Sequence, residues 1–389
     1  MSATIPAGYK QTEMGVIPGD WEVKPIGNCL KIRHGKSQHE VVSANGEFPI
    51  YGTGGEMGKA SRPLYSKPSV LIGRKGTIDA PRYLDIPFWT VDTLFYSEVA
   101  DSANPKFMFY KFCMIDWYSY NEASGVPSLN ARTIEKIFVS SPPLPEQRAI
   151  AAALSDVDAL LDKLDQLIAK KRDLKQATMQ QLLTGQTRLP GFSGAWEVKR
   201  LDALADIRSG GTPSTGVPKF WNGEVLWCTP TDITGLDGYK YLSQTSRTIT
   251  HAGLQSSSAE LVPVGSVVMT SRATIGECAI NSVPMTTNQG FKNFIPFPST
   301  DGEFLYYLLQ TKKQDFIALC SGSTFLEIGK TQLIRFEVKV PAKAEQTAIA
   351  ILLSDMDTEL AVVEARRDKT RALKQGMMQE LLTGRIRLV

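Results

Sequence analysis

A stretch of roughly 40 residues in the middle of this chain returns at its end without insertion or deletion, and an internal repeat of that length means duplication of a whole structural unit. Glu146-Gln147-x-Ala-Ile-Ala runs on through Leu154-Ser155-Asp156-x-Asp158 and Leu174-Lys175-Gln176 to Leu182-Leu183-Thr184-Gly185. It recurs as Glu345-Gln346-x-Ala-Ile-Ala, Leu353-Ser354-Asp355-x-Asp357, Leu373-Lys374-Gln375 and Leu381-Leu382-Thr383-Gly384, at a constant offset of 199 residues from Glu146 to Glu345. Trp21-Glu22-Val23-Lys24 is echoed by Trp196-Glu197-Val198-Lys199, while the segments between these anchors diverge. The order is variable module, fixed segment, variable module, fixed segment.

The fixed segments read as long helices. Pro145 stands where a first helical residue belongs, Glu146 follows at the positive end of the helix dipole, and Gly185 and Gly384 stand as C-terminal caps. Ile150, Leu154, Val157, Leu161, Leu164 and Ile168 make one narrow apolar stripe, repeated at Ile349, Leu353, Met356, Leu360 and Val363. Each helix therefore needs a partner along its stripe. Two near-identical helices on one chain can serve each other, packed antiparallel across a pseudo-two-fold axis; a lone amphipathic helix would instead suggest a core helix or a homodimer coiled coil. A helix of about 35 residues spans roughly 50 Å, the length of about 15 base pairs of B-DNA, so the pair could act as a ruler.

The variable modules read as mixed α/β. Val70-Leu71-Ile72, Thr93 to Tyr96 and Val264 to Met269 are strand-like runs punctuated by Gly and Pro, and Phe107 to Tyr118 and Phe304 to Leu319 read as helices. The expected fold class is α+β: two α/β modules joined by two long antiparallel helices with cyclic pseudo-symmetry. The expected boundaries are 1–145 and 188–343 for the modules, and 146–187 and 344–389 for the helices.

Composition narrows the function mainly by exclusion. At 389 residues the chain exceeds one ordinary core, and no apolar run is long enough for a bilayer, so a cytoplasmic location without membrane contact is expected. Its five cysteines form no Cys-x-x-Cys pair, and a net charge of +3 is too small to indicate a nucleic-acid partner. Gly35-Lys36-Ser37 lacks the upstream glycine of a P-loop, since Leu30 occupies that position. Gly52 to Gly58 has its third glycine one place late for a dinucleotide fingerprint and reads as a turn. Asp156 and Asp158 lie on different helix faces, which suits structural or solvated roles better than paired catalysis. His34 and His39 lack companions for a metal. No cofactor, metal or catalytic constellation is expected, and the chain is read as no enzyme.

Asp206-Ile207-Arg208-Ser209-Gly210-Gly211-Thr212-Pro213, Phe220-Trp221-Asn222-Gly223 and Trp227-Cys228-Thr229-Pro230-Thr231-Asp232-Ile233 together resemble the opening of a target recognition domain of type I restriction-modification specificity subunits. Tyr51 to Gly55, Ile72 to Ile78 and Phe88 to Thr93 resemble a second version, and Pro143-Leu144-Pro145-Glu146-Gln147 with the Leu-Leu-Thr-Gly helix ends resembles the family's spacer regions. Val340 to Gln346 departs from the usual Pro-Leu-Pro-Glu-Gln form, a change that would loosen the start of the second helix.

The resemblance implies a DNA-binding subunit that recognises a bipartite double-stranded site, one half by each module. It also implies two methyltransferase subunits docked on the helices and restriction (motor and nuclease) subunits joining through them. The alternatives are a specificity subunit of a fused restriction-methylation enzyme, or a coiled-coil adaptor without DNA. Arg, Lys, Asn and Gln on loops suit base edges, and Ser and Thr suit phosphates. The candidate DNA contacts are Arg33, Lys36, Ser37, Gln38, Arg74, Lys75 and Thr77 in the first module, and Arg208, Ser209, Thr212, Ser271, Arg272, Thr274, Asn288 and Gln289 in the second. Candidate spacer and partner positions are Glu146, Gln147, Leu161, Leu164, Leu174, Glu345, Gln346, Leu360, Val363 and Leu373. Trp21, Trp196, Trp221 and Trp227 read as core anchors.

Overall fold

The computed structural model describes residues 5–320 and 326–388. The chain forms two compact units: one assembled from two separate segments, 1–166 with 364–389, and one from the continuous stretch 167–363. Two helices, Leu144–Leu183 and Lys343–Leu381, run 40 and 39 residues. Each is longer than the expected 35, about 60 Å at 1.5 Å per residue. The first begins at Leu144, one residue before Pro145, which therefore occupies the second helical position.

Each unit holds the N-terminal half of one long helix and the C-terminal half of the other. In the first unit Lys374 Nζ meets Asp158 at 2.6 Å and Arg371 meets Asp165 at 3.2 Å. In the second, Lys171 meets Glu359 at 2.7 Å and Lys175 pairs with Asp357. Residue numbers rise along one helix as they fall along the other, so within each unit the pair is antiparallel. Ile150, Leu154, Leu164 and Ile168 are buried, as are Ile349 and Leu353, in keeping with the apolar stripe.

The helix ends follow their glycines. Gly185 and Gly384 take φ of +73° and +76°, where a side chain is strained. A side chain at Gly185 would press on the Trp196 indole, and one at Gly384 would run into the Pro18 ring beside Trp21. The altered start of the second helix is as well fastened as the first: Gln346 Nε2 donates to Pro341 O at 2.9 Å, matching Gln147 Nε2 to Pro142 O at 2.9 Å. The same side-chain clamp is present at both helix starts, with or without the proline.

The first unit carries an antiparallel sheet in the order Leu30–His34, Leu94–Val99, Ser69–Gly73, Arg82–Leu84. Ser69–Gly73 is buried along its whole length, which explains its unbroken apolar run. A second sheet of Gly55–Ala60, Phe48–Gly52 and Trp89–Thr90 turns tightly at Thr53-Gly54, so the glycine-rich stretch is a hairpin. The second unit repeats the scheme with Ala205–Ser209, Phe291–Pro296, Val267–Thr270, Cys278–Asn281 and Tyr241–Leu242, beside a three-stranded sheet of Arg247–Ile249, Trp221–Cys228 and Thr286–Thr287. Val267–Thr270 starts later than the run from Val264 because Gly265, at φ +81°, makes a turn.

The two expected module helices are each broken. Pro105–Cys113 is capped by Asn104, whose side chain accepts from Phe107 N, and a separate turn Trp117–Tyr120 is capped by Asp116. Gly302–Thr311, capped by Asp301, is followed by Lys313–Ala318. Among the described residues no helix is long and apolar enough to cross a membrane, and no cluster of three or more His, Cys, Asp or Glu is placed to hold a metal.

Candidate nucleic-acid interface

Sheet register brings distant loops to one end of each module. Phe95 pairs with His34 and Leu94 with Gly73, so the segments after His34 and Gly73 leave the sheet where Leu94 begins. In the second module Ser209 pairs with Lys292 and Thr270 with Phe291, which joins the segments after Ser209 and Thr270 to the one before Phe291.

Glycine makes these junctions possible. A Cβ on Gly35 would lie 1.9 Å from Val91 O, and one on Gly210 would lie 1.9 Å from Asn288 O. Backbone carbonyls cannot yield as a side-chain tip does, so both loops close only on glycine. In the first module Lys36 N donates to Thr90 O, Trp89 Nε1 to Lys36 O, and Arg74 N to Thr93 O, all at 2.8–2.9 Å. In the second, Gly211 N donates to Thr287 O at 2.9 Å, Ser271 N to Gly290 O at 2.7 Å, and Thr212 is bonded to Gln289.

Lys36, Ser37, Arg74, Lys75 and Thr77 are thereby gathered with their side chains exposed. Gln38 is half-buried in the turn after them, and a groove of about 570 Å³ beside it is lined by Lys36, Ser37, His39, Glu40, Arg62 and Trp89. In the second module Arg272 and Gln289 are exposed and Thr212, Thr274 and Asn288 half-buried. Ser271 is fully buried and accepts from Lys292 Nζ at 3.3 Å; Asn288 Oδ1 caps Gly290 N at 2.9 Å. These two shape the loop floor. Ser209 is exposed at the strand end.

Several candidate arginines already have carboxylate partners. Arg33 pairs with Glu98 at 2.7 Å, Arg208 with Asp206 at 2.7 Å, and Arg272 with Glu327 at 2.8 Å. Hydrogen bonds to Glu98 and Asp206 hold Arg33 and Arg208 still more firmly protonated than usual. Arg33 and Arg208 lie on strands rather than loops, so the loop cluster does not include their Cα positions.

The spacer candidates divide sharply. Glu146, buried, accepts from Arg387 Nε at 2.6 Å and Nη2 at 2.8 Å and from Trp21 Nε1 at 3.0 Å. Glu345, equally buried, accepts from Arg188 Nε and Nη2 at 2.5 and 2.6 Å. Gln147 and Gln346 accept from Asn104 N and Asp301 N at 2.9 and 3.0 Å. These four bolt helix to module. Leu164 is buried and Leu161, Leu360 and Val363 half-buried on the helix stripe, whereas Leu174 and Leu373 are exposed.

Arg188 and Arg387 were not among the candidate residues, although both recur in Thr-Gly-x-x-Arg-Leu at the same 199-residue offset. Tyr110 and Tyr307 were missed too: their hydroxyls donate to Asp158 and Asp357, which the repeat displayed as unexplained carboxylates. Trp21 and Trp227 are buried anchors; Trp196 and Trp221 are half-buried. Lys111 is almost wholly enclosed, donating to Leu382 O and Ser140 Oγ at 3.0 Å, and burial pushes its ammonium down to about 8.

Two modules with one loop architecture and different side chains, each fastened to a repeated helix, define a duplicated recognition subunit. The model of the type I restriction modification DNA specificity domain matches the chain twice, over residues 18–171 and 194–369, and the chain belongs to this family. It is 36% identical over 182 residues to the type I restriction enzyme MjaIX specificity subunit of Methanocaldococcus jannaschii, covering 46% of this chain and 41% of that one. It is 23% identical to the MjaVIII specificity subunit of the same organism over 96% of this chain and 94% of that one. An S subunit of a type I restriction-modification system from M. genitalium has the same fold, with a TM-score of 0.62 and 15% identity over 93% of this chain and 96% of that one.

Proposed function

We propose that this chain reads a bipartite double-stranded DNA site as the specificity subunit of a type I restriction-modification complex in the cytoplasm, and carries out no chemistry itself. The observation that carries this is the loop cluster built twice, alike in backbone and unlike in side chains. Such a pair contacts two short sequences independently. The modules are assigned to 1–145 and 188–343 and the spacers to 146–187 and 344–389.

Lys36, Ser37, Gln38, Arg74, Lys75 and Thr77 in one module, and Ser209, Thr212, Arg272, Thr274, Asn288 and Gln289 in the other, supply the DNA-facing groups. Arg33 and Arg208 would have to leave their carboxylates to join them, and Ser271 acts from beneath. The exposed Leu174 on one unit and Leu373 on the other each belong to a helix face that docks a methyltransferase subunit, through which restriction subunits join. Glu146, Gln147, Glu345 and Gln346, with Leu161, Leu164, Leu360 and Val363, keep those faces rigid.

The test is methylation-sensitive long-read sequencing of a host expressing the chain with its methyltransferase, before and after residues 20–140 are exchanged for another such module. One half of the motif should change and the other persist. A change in both halves, or methyl transfer by the isolated chain, contradicts the reading.

A further inference from the structure

Arg247 was singled out by no motif, yet it is held unlike the other arginines of its module. Its strand, Arg247–Ile249, pairs antiparallel with Trp221–Cys228, and the register sets Arg247 directly opposite Trp227. A bulge between Trp221 and Val225, with Asn222 in the left-handed region at φ +59°, turns Trp221 onto the same guanidinium. The guanidinium carbon lies 4.0 Å from the Trp221 ring centroid and 5.0 Å from that of Trp227. The two indoles meet edge to face at 4.9 Å and 84°.

Both indoles are themselves anchored to the loop cluster. Trp227 Nε1 donates to Gly211 O at 2.9 Å and Trp221 Nε1 to Ser214 O at 3.1 Å. Gly211 N in turn holds Thr287, beside Asn288 and Gln289. Arg247 is exposed, and among the described residues no carboxylate pairs with it, whereas Asp206 and Glu327 neutralise Arg208 and Arg272.

We propose that Arg247 is a sequence-determining residue of the second module, presenting two N–H groups to O6 and N7 of a guanine in the major groove. This rests on the DNA-reading function above. A phosphate needs only a positive charge, which a mobile lysine supplies as well; two aromatic walls instead fix the plane of the guanidinium, and a fixed plane is what a bidentate base contact requires. The stacked side chain has also lost much of its rotamer freedom before DNA arrives.

The test uses the full chain with its methyltransferase, comparing wild type, R247K and R247A by long-read methylation sequencing and by DNA binding at several salt concentrations. Discrimination at one guanine of the second module's half-site should fall roughly 10-fold or more in both variants, with the first half-site and the gap unchanged. A relaxed motif is itself proof that the variant folds and assembles. The proposal is overturned if R247K keeps the wild-type motif, if the half-site contains no guanine on either strand, or if affinity falls alike for all sequences with a salt slope lower by about one, the mark of a phosphate contact. A wild-type motif that R247A leaves intact refutes Arg247 alone; a wild-type chain that selects no bipartite motif refutes the DNA-reading function with it.

Discussion

Replacing Arg387 with methionine would leave Glu146 as a buried carboxylate with one remaining side-chain donor. The Glu146 side chain is 1% exposed and Arg387 24% exposed, and the guanidinium forks across both Glu146 oxygens while its other edge takes Asp20 at 2.8 and 3.0 Å. Removing one member of a buried pair costs about 3–5 kcal/mol, chiefly because the survivor is left charged in a poor solvent. The lower end applies here, about 3 kcal/mol, because Trp21 Nε1 still donates at 3.0 Å and water reaches the arginine side. Urea unfolding at neutral pH, followed by tryptophan fluorescence, measures it.

The second variant decides the mechanism. E146Q/R387M should be more stable than R387M, since the neutral amide no longer carries the orphaned charge. Arg387 also holds the Asp20 carboxyl below its usual range, chiefly by their hydrogen bond. A depressed carboxylate stabilises the fold above its unfolded pKa and loses that contribution as pH falls through the folded value. The gap between wild type and R387M should therefore narrow below about pH 4. An R387M chain within about 1 kcal/mol of wild type, or a double variant less stable than R387M, would refute the orphan-charge argument.

Lys111, lowered to about 8 by burial, binds fewer protons when folded than unfolded between there and about 10.4, so stability rises with pH across that window. Wild type should gain up to about 3 kcal/mol on K111M between pH 7 and 10.5 in paired urea titrations, and parallel profiles would exclude the effect. G210A and G35A each put a Cβ about 1.9 Å from a backbone oxygen, so each should abolish recognition of its own half-site while the helical circular dichroism persists; a full motif from either would show that the loops can reclose. Tyr9 OH donates to Gly384 O at 3.0 Å and Arg387 reaches Asp20, which brings the segment around Tyr9 and Asp20 against that around Gly384 and Arg387 within the first unit. A circular permutant joined by a short Gly/Ser linker and reopened between Gly185 and Gly191 should still modify the original motif; a permutant that assembles and modifies nothing would count against the cyclic design.

The duplicated helices were legible from sequence because everything that makes them is local or periodic. A stripe of Ile150, Leu154, Leu164 and Ile168, capping glycines and an ungapped repeat predict two helices that must pair, and their burial agrees. The segments proposed to face DNA stood out in the sequence as clusters of residue types next to glycines. What only the tertiary structure decided is which of those groups stand free. Strand register carries Ser209, Thr270 and Phe291 to one end of a sheet, and no local pattern encodes a pairing between residues so far apart. The sequence offers Glu146 as a spacer or partner position, and the fold gives both its oxygens to Arg387, 241 residues away. Arg247 looked like any surface arginine until a bulge folded two tryptophans around it. A side chain's type sets what it can bind, whereas its freedom to bind depends on neighbours that the chain brings together only when it folds.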